Sequence, residues 1–135
     1  MILVSACLLG ENCKYNAGNN YDPAVAAFVE GKQVLPVCPE RCMGCPRTPV
    51  EIVNGVVTDR NGNVVDGILR ASVAHIMHQL EGLDIECAVL KSRSPTCGVK
   101  QVYDGTFTGT LTDGSGILAQ ALQKAGYTVI DAEDL

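Results

Sequence analysis

Cys87-Ala88-Val89-Leu90-Lys91-Ser92-Arg93-Ser94-Pro95-Thr96-Cys97-Gly98 is an apolar run that breaks into a polar loop carrying a thiol. Four apolar residues without polar alternation suit a strand buried on both faces, as strands of a parallel sheet are. Two other segments repeat the pattern. Ile2 to Val4 leads into Ser5-Ala6-Cys7-Leu8-Leu9-Gly10, and Val34 to Val37 leads into Cys38-Pro39-Glu40. In an open parallel sheet, loops at the carboxyl ends of the strands converge on one crevice. Cys7, Cys38 and Cys97 would then face one another, which suits a metal or an iron–sulfur cluster better than it suits packing.

Working outward, the remaining elements alternate. Asp22-Pro23 reads as an N-cap followed by proline at the first helical position, opening a helix that stops at Gly31. Val50 to Val53 and Val56 to Thr58, joined by Asn54-Gly55, predict a β-hairpin. Ile68, Leu69, Val73, Ile76, Met77 and Leu80 follow a helical period. Val102 to Leu111 reads as turns and short extended pieces. A last helix is expected from Ser115 to Lys124 and a final strand from Thr128 to Ile130. The sum is a single three-layer α/β domain over residues 1–135, with a mostly parallel sheet, helices on both faces and a small β-hairpin.

Ten Lys and Arg stand against fifteen Asp and Glu, a formal net charge of −5. That balance disfavours a generic nucleic-acid or anionic-membrane surface. Lys14, Arg41, Arg47, Lys91, Arg93 and Lys100 nevertheless fall in or beside the cysteine loops, so a locally positive crevice is expected. Neither a signal peptide nor a membrane span is readable, which makes the cytoplasm the expected compartment. In that compartment seven cysteines argue for metal binding or catalysis rather than disulfides. Cys87, inside an apolar run, reads as an inert core thiol.

Several constellations compete. Three ligands on a four-iron cluster leave one iron open, the mark of a catalytic rather than a sealed site. Buried apolar cysteines are the ordinary alternative. Cys38, Cys42 and Cys45 share the spacing of a radical S-adenosylmethionine loop, but the chain offers too few βα units for such an enzyme. Zinc held by Cys38, Cys42, Cys45 and another cysteine is a third option, without the paired knuckles that would strengthen it. Glu40, two residues past Cys38, could serve as general acid or base. Ser94 and Thr96 bracket Pro95 and could hold hydroxyls beside Cys97, with turn capping as the alternative. Lys91, Ser92 and Arg93 fall at the crevice rim. Asp113-Gly114-Ser115-Gly116 could present N–H groups to a phosphate, although a plain helix cap explains it equally. His75 and His78 share a helix face with no ligand partner.

Ser5-Ala6-Cys7-Leu8-Leu9-Gly10, Val37-Cys38-Pro39-Glu40, Lys91-Ser92-Arg93-Ser94-Pro95-Thr96-Cys97-Gly98 and Tyr103-Asp104-Gly105-Thr106-Phe107, in this order, resemble the thiouracil desulfidase-like family. The resemblance spans nearly the whole chain. It implies a small α/β enzyme holding a [4Fe-4S] cluster through Cys7, Cys38 and Cys97, with Glu40 and Ser94 as the catalytic pair. Lys91, Ser92 and Thr96 would contact a small thiolated nucleobase or nucleotide, and the reaction would be hydrolysis of its C–S bond. No nucleic-acid polymer or membrane partner is implied. The chain departs from the family pattern after Glu40, where Arg41-Cys42-Met43-Gly44-Cys45 replaces apolar and glycine residues. Extra thiols there could close the open iron, so an iron–sulfur or zinc protein with a structural, sensing or electron-transfer role stands as the alternative.

Overall fold

The computed structural model describes residues 1–135. Along the chain come β1 (Ile2–Ser5), α1 (Pro23–Val29), β2 (Val34–Val37), the ribbon of β3 (Val50–Val53) and β4 (Val56–Asp59), and α2 (Asp66–Gln79). There follow β5 (Cys87–Leu90), a second ribbon of β6 (Gln101–Tyr103) and β7 (Leu111–Asp113), α3 (Ile117–Lys124) and β8 (Val129–Asp131). The central sheet has the order β2-β1-β5-β8 and all three pairings are parallel.

That order creates a switch point. β1 connects through α1 to β2 on one side, while its neighbour β5 connects through α3 to β8 on the other. Adjacent strands whose connections leave in opposite directions open a crevice at their carboxyl ends. Cys7 and Cys97 follow these two strands, and Cys38 follows β2.

Each strand alternates between two cores, as the pleat requires. Leu3, Ala88 and Leu90 pack with Leu69 and Val73 of α2 and Leu118 and Leu122 of α3. On the opposite face Ile2, Val4, Cys87 and Val89 pack with Val25 and Val29 of α1. Helices thus cover both faces, and Cys87 is a core residue. No helix is long and apolar enough to cross a membrane.

Local chemistry explains the element ends. Asp22 caps α1 by accepting hydrogen bonds from the backbone N–H groups of Ala24 and Val25, with Pro23 at the first helical position. Asn54 and Gly55 take φ of 50° and 79°, the positive pair that a two-residue hairpin turn demands. Asp66 at the start of α2 accepts from Val57 N–H and from Arg70, tying helix to ribbon.

Several details differ from expectation. The stretch from Val102 to Leu111, expected as turns and short extended pieces, has its extended ends paired in an antiparallel ribbon, Gln101 with Asp113 and Tyr103 with Leu111. Its strands are too short to show alternation. The last helix starts at Ile117, not Ser115, because Gly116 is its extended N-cap, and β8 ends one residue later than expected.

Candidate functional site

Cys7 sits in a single 3₁₀ turn, Ala6–Leu9, that continues β1 and ends at Gly10 with φ of 94°. Cys38 caps a second such turn, Pro39–Met43, directly after β2. Cys97 lies in the loop after β5 and is only 4% exposed. All three line one cavity of about 450 Å³ at the switch point. A fourth thiol lines it too. Cys13 is buried, and its carbonyl accepts a hydrogen bond from the Cys38 thiol at 3.7 Å. No apolar run precedes Cys13; the only signal in its favour is that its loop begins at the carboxyl end of β1.

The thiols share one electrostatic environment. Burial pushes Cys97 up to about 12, despite hydrogen bonds from Ser5 and Thr96, and Cys7 and Glu40 add to the rise. Burial also raises Cys38, helped by the nearby Cys13 and Cys97. Cys7 is raised by burial, with partial relief from the Asn20 amide, whose Nδ2 donates to its sulfur at 3.5 Å. Several thiolates crowded into such a site repel one another unless a cation compensates them, and a coordinating metal is what deprotonates thiols outright. No three Cys, His, Asp or Glu side chains converge as ligands of a single ion must. The thiols instead stand around one cavity, which is compatible with a multi-iron cluster, where each thiolate reaches a different iron.

Glu40 joins two of the loops. Its Oε2 accepts from Thr96 Oγ1 at 2.9 Å and from Ser94 Oγ at 3.5 Å, and Arg47 Nη2 lies 3.6 Å from its Oε1. Ser94 Oγ in turn accepts from the backbone N–H groups of Thr96 and Cys97, at 3.2 and 3.1 Å. It also lies 3.0 Å from Thr96 Oγ1. One serine thereby fixes the loop that carries Cys97 and touches the carboxylate. Arg47 reaches Glu40 from beyond the Cys38 turn, with Nη1 donating to the Gly44 carbonyl and to Cys45 sulfur, both at 3.0 Å. Its Nε is buried without a partner. Arg47, expected as one of several basic residues of the crevice, thus touches the carboxylate directly.

The rim is as follows. Lys91 and Ser92 line the cavity, Lys91 Nζ donating to the Ser92 carbonyl and hydroxyl, and Ser5 Oγ accepts from Lys91 N–H. Lys14, Arg47, Arg60 and Arg93 line it as well, so the crevice is basic in an acidic chain. Arg41 pairs with Glu11, and Lys100 with Asp134, away from the cavity.

Other candidates fall outside. Cys42 and Cys45 are exposed and do not line the cavity. His75 and His78 are exposed on α2. The N-terminus of α3 is closed to a phosphate. Its first N–H groups, on Ile117 and Leu118, bond the carbonyls of Pro95 and Thr96 at 3.1 and 2.8 Å. Gly116 packs so tightly on that loop that a Cβ would lie 2.4 Å from the Thr96 carbonyl carbon.

Thiols gathered beside a hydrogen-bonded carboxylate at the switch point of a parallel sheet define the class: an α/β protein with a site suited to a thiolate-bound metal centre. Within it, the chain belongs to the 2-thiouracil desulfurase family, whose model matches residues 2–134. Across 147 aligned positions it is 33% identical to YbbK, an uncharacterised protein of Bacillus subtilis (strain 168), covering 100% of this chain and 97% of that one. It also superposes on a solved [4Fe-4S]-dependent thiouracil desulfidase, TudS, with a TM-score of 0.90 and 29% identity, covering 99% of this chain and 91% of the other. The family and the fold anticipated from the cysteine phrases are those found.

Proposed function

We propose that this protein is a [4Fe-4S]-dependent desulfidase that hydrolyses the C–S bond of a thiolated nucleobase or nucleotide. The observation that carries the reading is that one cavity is lined by two unlike sets of groups: thiols spread around it, and a carboxylate held in place by Thr96, Ser94 and Arg47. Family membership and the likeness to TudS support it.

Cys7, Cys38 and Cys97 would hold the cluster, whose iron without a protein ligand would supply a Lewis-acid position for the thiocarbonyl sulfur. The chain's own groups supply the rest. Glu40 Oε2 takes one proton from water as the oxygen forms its bond to the ring carbon and returns it to the departing sulfur as the C–S bond breaks. The proton left on the new hydroxyl then passes by the same carboxylate to the sulfide as the carbonyl forms. Ser94 Oγ, fixed by its backbone bonds, orients that water. Lys91, Ser92 and Thr96 bound the substrate's side of the cavity, although the Thr96 hydroxyl is engaged by Glu40. Arg47 Nε, buried without an acceptor, offers a donor to a substrate oxygen. The balance is thiouracil plus water giving uracil plus hydrogen sulfide, with no electron gained or lost. Turnover in ¹⁸O-labelled water tests this: one ¹⁸O in each uracil formed is expected, and unlabelled uracil released with sulfide would refute hydrolysis.

Cys13 favours one other reading, in which four protein thiolates close the cluster and the protein carries electrons or stabilises its own fold. The Glu40–Ser94–Thr96 array would then have no task. Cys13→Ser separates the two. An open cluster keeps its iron content, visible absorbance and electron paramagnetic signal in that variant, whereas a closed one loses or alters them.

A further inference from the structure

The β6–β7 ribbon stands apart from the central sheet, yet Tyr103, Phe107 and Gly109 at its tip line the thiol cavity. The tip is held there. Glu51 on β3, 8% exposed, accepts hydrogen bonds from the backbone N–H groups of Gly105 and Phe107 at 3.0 and 3.2 Å through one oxygen, Oε1. Bonds to a carboxylate are stronger than neutral ones, and two from one tip fix its position. Gly105, at φ of 90°, lies so near β3 that a Cβ would meet the Ile52 carbonyl oxygen at 2.6 Å. Phe107 itself has φ of 56°, a left-handed conformation that bulky residues rarely adopt. Strain of this kind persists where the surroundings over-determine it, and it clusters at ligand sites.

We propose that Phe107, with Tyr103 beside it, forms an aromatic wall that stacks on the flat ring of the substrate, and that Glu51 is the positioning residue that holds this wall in place. The inference rests on the desulfidase reading and narrows it: the site selects planar heterocycles over acyclic thiocarbonyl compounds. Stacking between a base and an aromatic side chain has no donor–acceptor pattern, so it accepts any flat ring and disfavours an acyclic thioamide, whose small π-face offers far less area to stack on.

The test uses the reconstituted holoprotein, with thiouracil turnover and, independently, calorimetric binding of uracil. Phe107→Ala raises KM for thiouracil roughly tenfold and weakens uracil binding equally, with kcat within about twofold, the pattern of lost ground-state binding. Phe107→Tyr restores both. Glu51→Ala reproduces the KM effect, and Glu51→Gln, which keeps an acceptor oxygen, restores it. Should Glu51→Ala not fold, Phe107→Ala at the tip decides. Unchanged KM and uracil affinity in Phe107→Ala, beside an active wild type, would overturn the wall and leave the desulfidase standing. A loss confined to kcat would overturn it as well. A wild type that neither binds uracil nor releases sulfide from thiouracil would overturn both.

Discussion

At Glu40 one carboxylate bridges the loops that follow β2 and β5, with Thr96 and Ser94 on Oε2 and Arg47 near Oε1. Its position relative to Cys97 is therefore set by hydrogen bonds rather than by chain proximity. Replacing it leaves the thiols in place, so Glu40→Ala is expected to keep iron and the visible absorbance of the cluster. Sulfide release from thiouracil should fall by about 10²–10⁴-fold, the usual contribution of a positioned acid–base group. Turnover at the wild-type rate would remove Glu40 from the reaction. Glu40, Ser94 and the thiols after the strands were legible because each follows a short apolar run that ends at the crevice. Cys13 was not legible as a site residue, Arg47 only as one of the basic residues of the crevice, and Glu51 not at all. The first two arrive on long loops whose path depends on tertiary contacts, and Glu51 looks like an ordinary polar position in a hairpin strand.

Among the elements, α3 and the loop carrying Cys97 stabilise each other. The loop's carbonyls satisfy the N–H groups that a helix start leaves unpaired, and the helix start buttresses the loop. Gly116 is the contact point, so Gly116→Ala forces backbone against backbone and lowers stability by about 1–3 kcal/mol. Gly67 in α2 is the control, because a Cβ there meets nothing within 4 Å. Gly67→Ala should stabilise by roughly 0.4–1 kcal/mol. Urea unfolding of both variants checks the pair, and equal stability of the two would show that the close approach is unimportant. The helices and the Asn54-Gly55 hairpin could be read from caps, period and turn chemistry. The β6–β7 ribbon could not, since its strands span Gln101–Tyr103 and Leu111–Asp113 and its tip is fixed by Glu51 from another hairpin.

For the whole molecule, the strand order β2-β1-β5-β8 brings segments far apart in sequence to one crevice while leaving the Cys42–Cys45 turn outside it. The apolar strands revealed a parallel sheet, but strand order depends on which edges pair, and a single sequence does not encode that locally. The distinction has a consequence. Cys42→Ser with Cys45→Ser should retain full iron content, whereas Cys38→Ala should lose the cluster; loss of iron in the double variant would return the ligand set to the local cysteines. The central claim is that this crevice, loaded with its cluster, removes sulfur from a thiobase. Anaerobic reconstitution with iron and sulfide, followed by measurement of sulfide released from thiouracil and its nucleotide, tests it most directly. The account predicts a brown protein that releases one sulfide for each uracil or uridine nucleotide formed. A fully loaded brown protein that releases none from either substrate would contradict it.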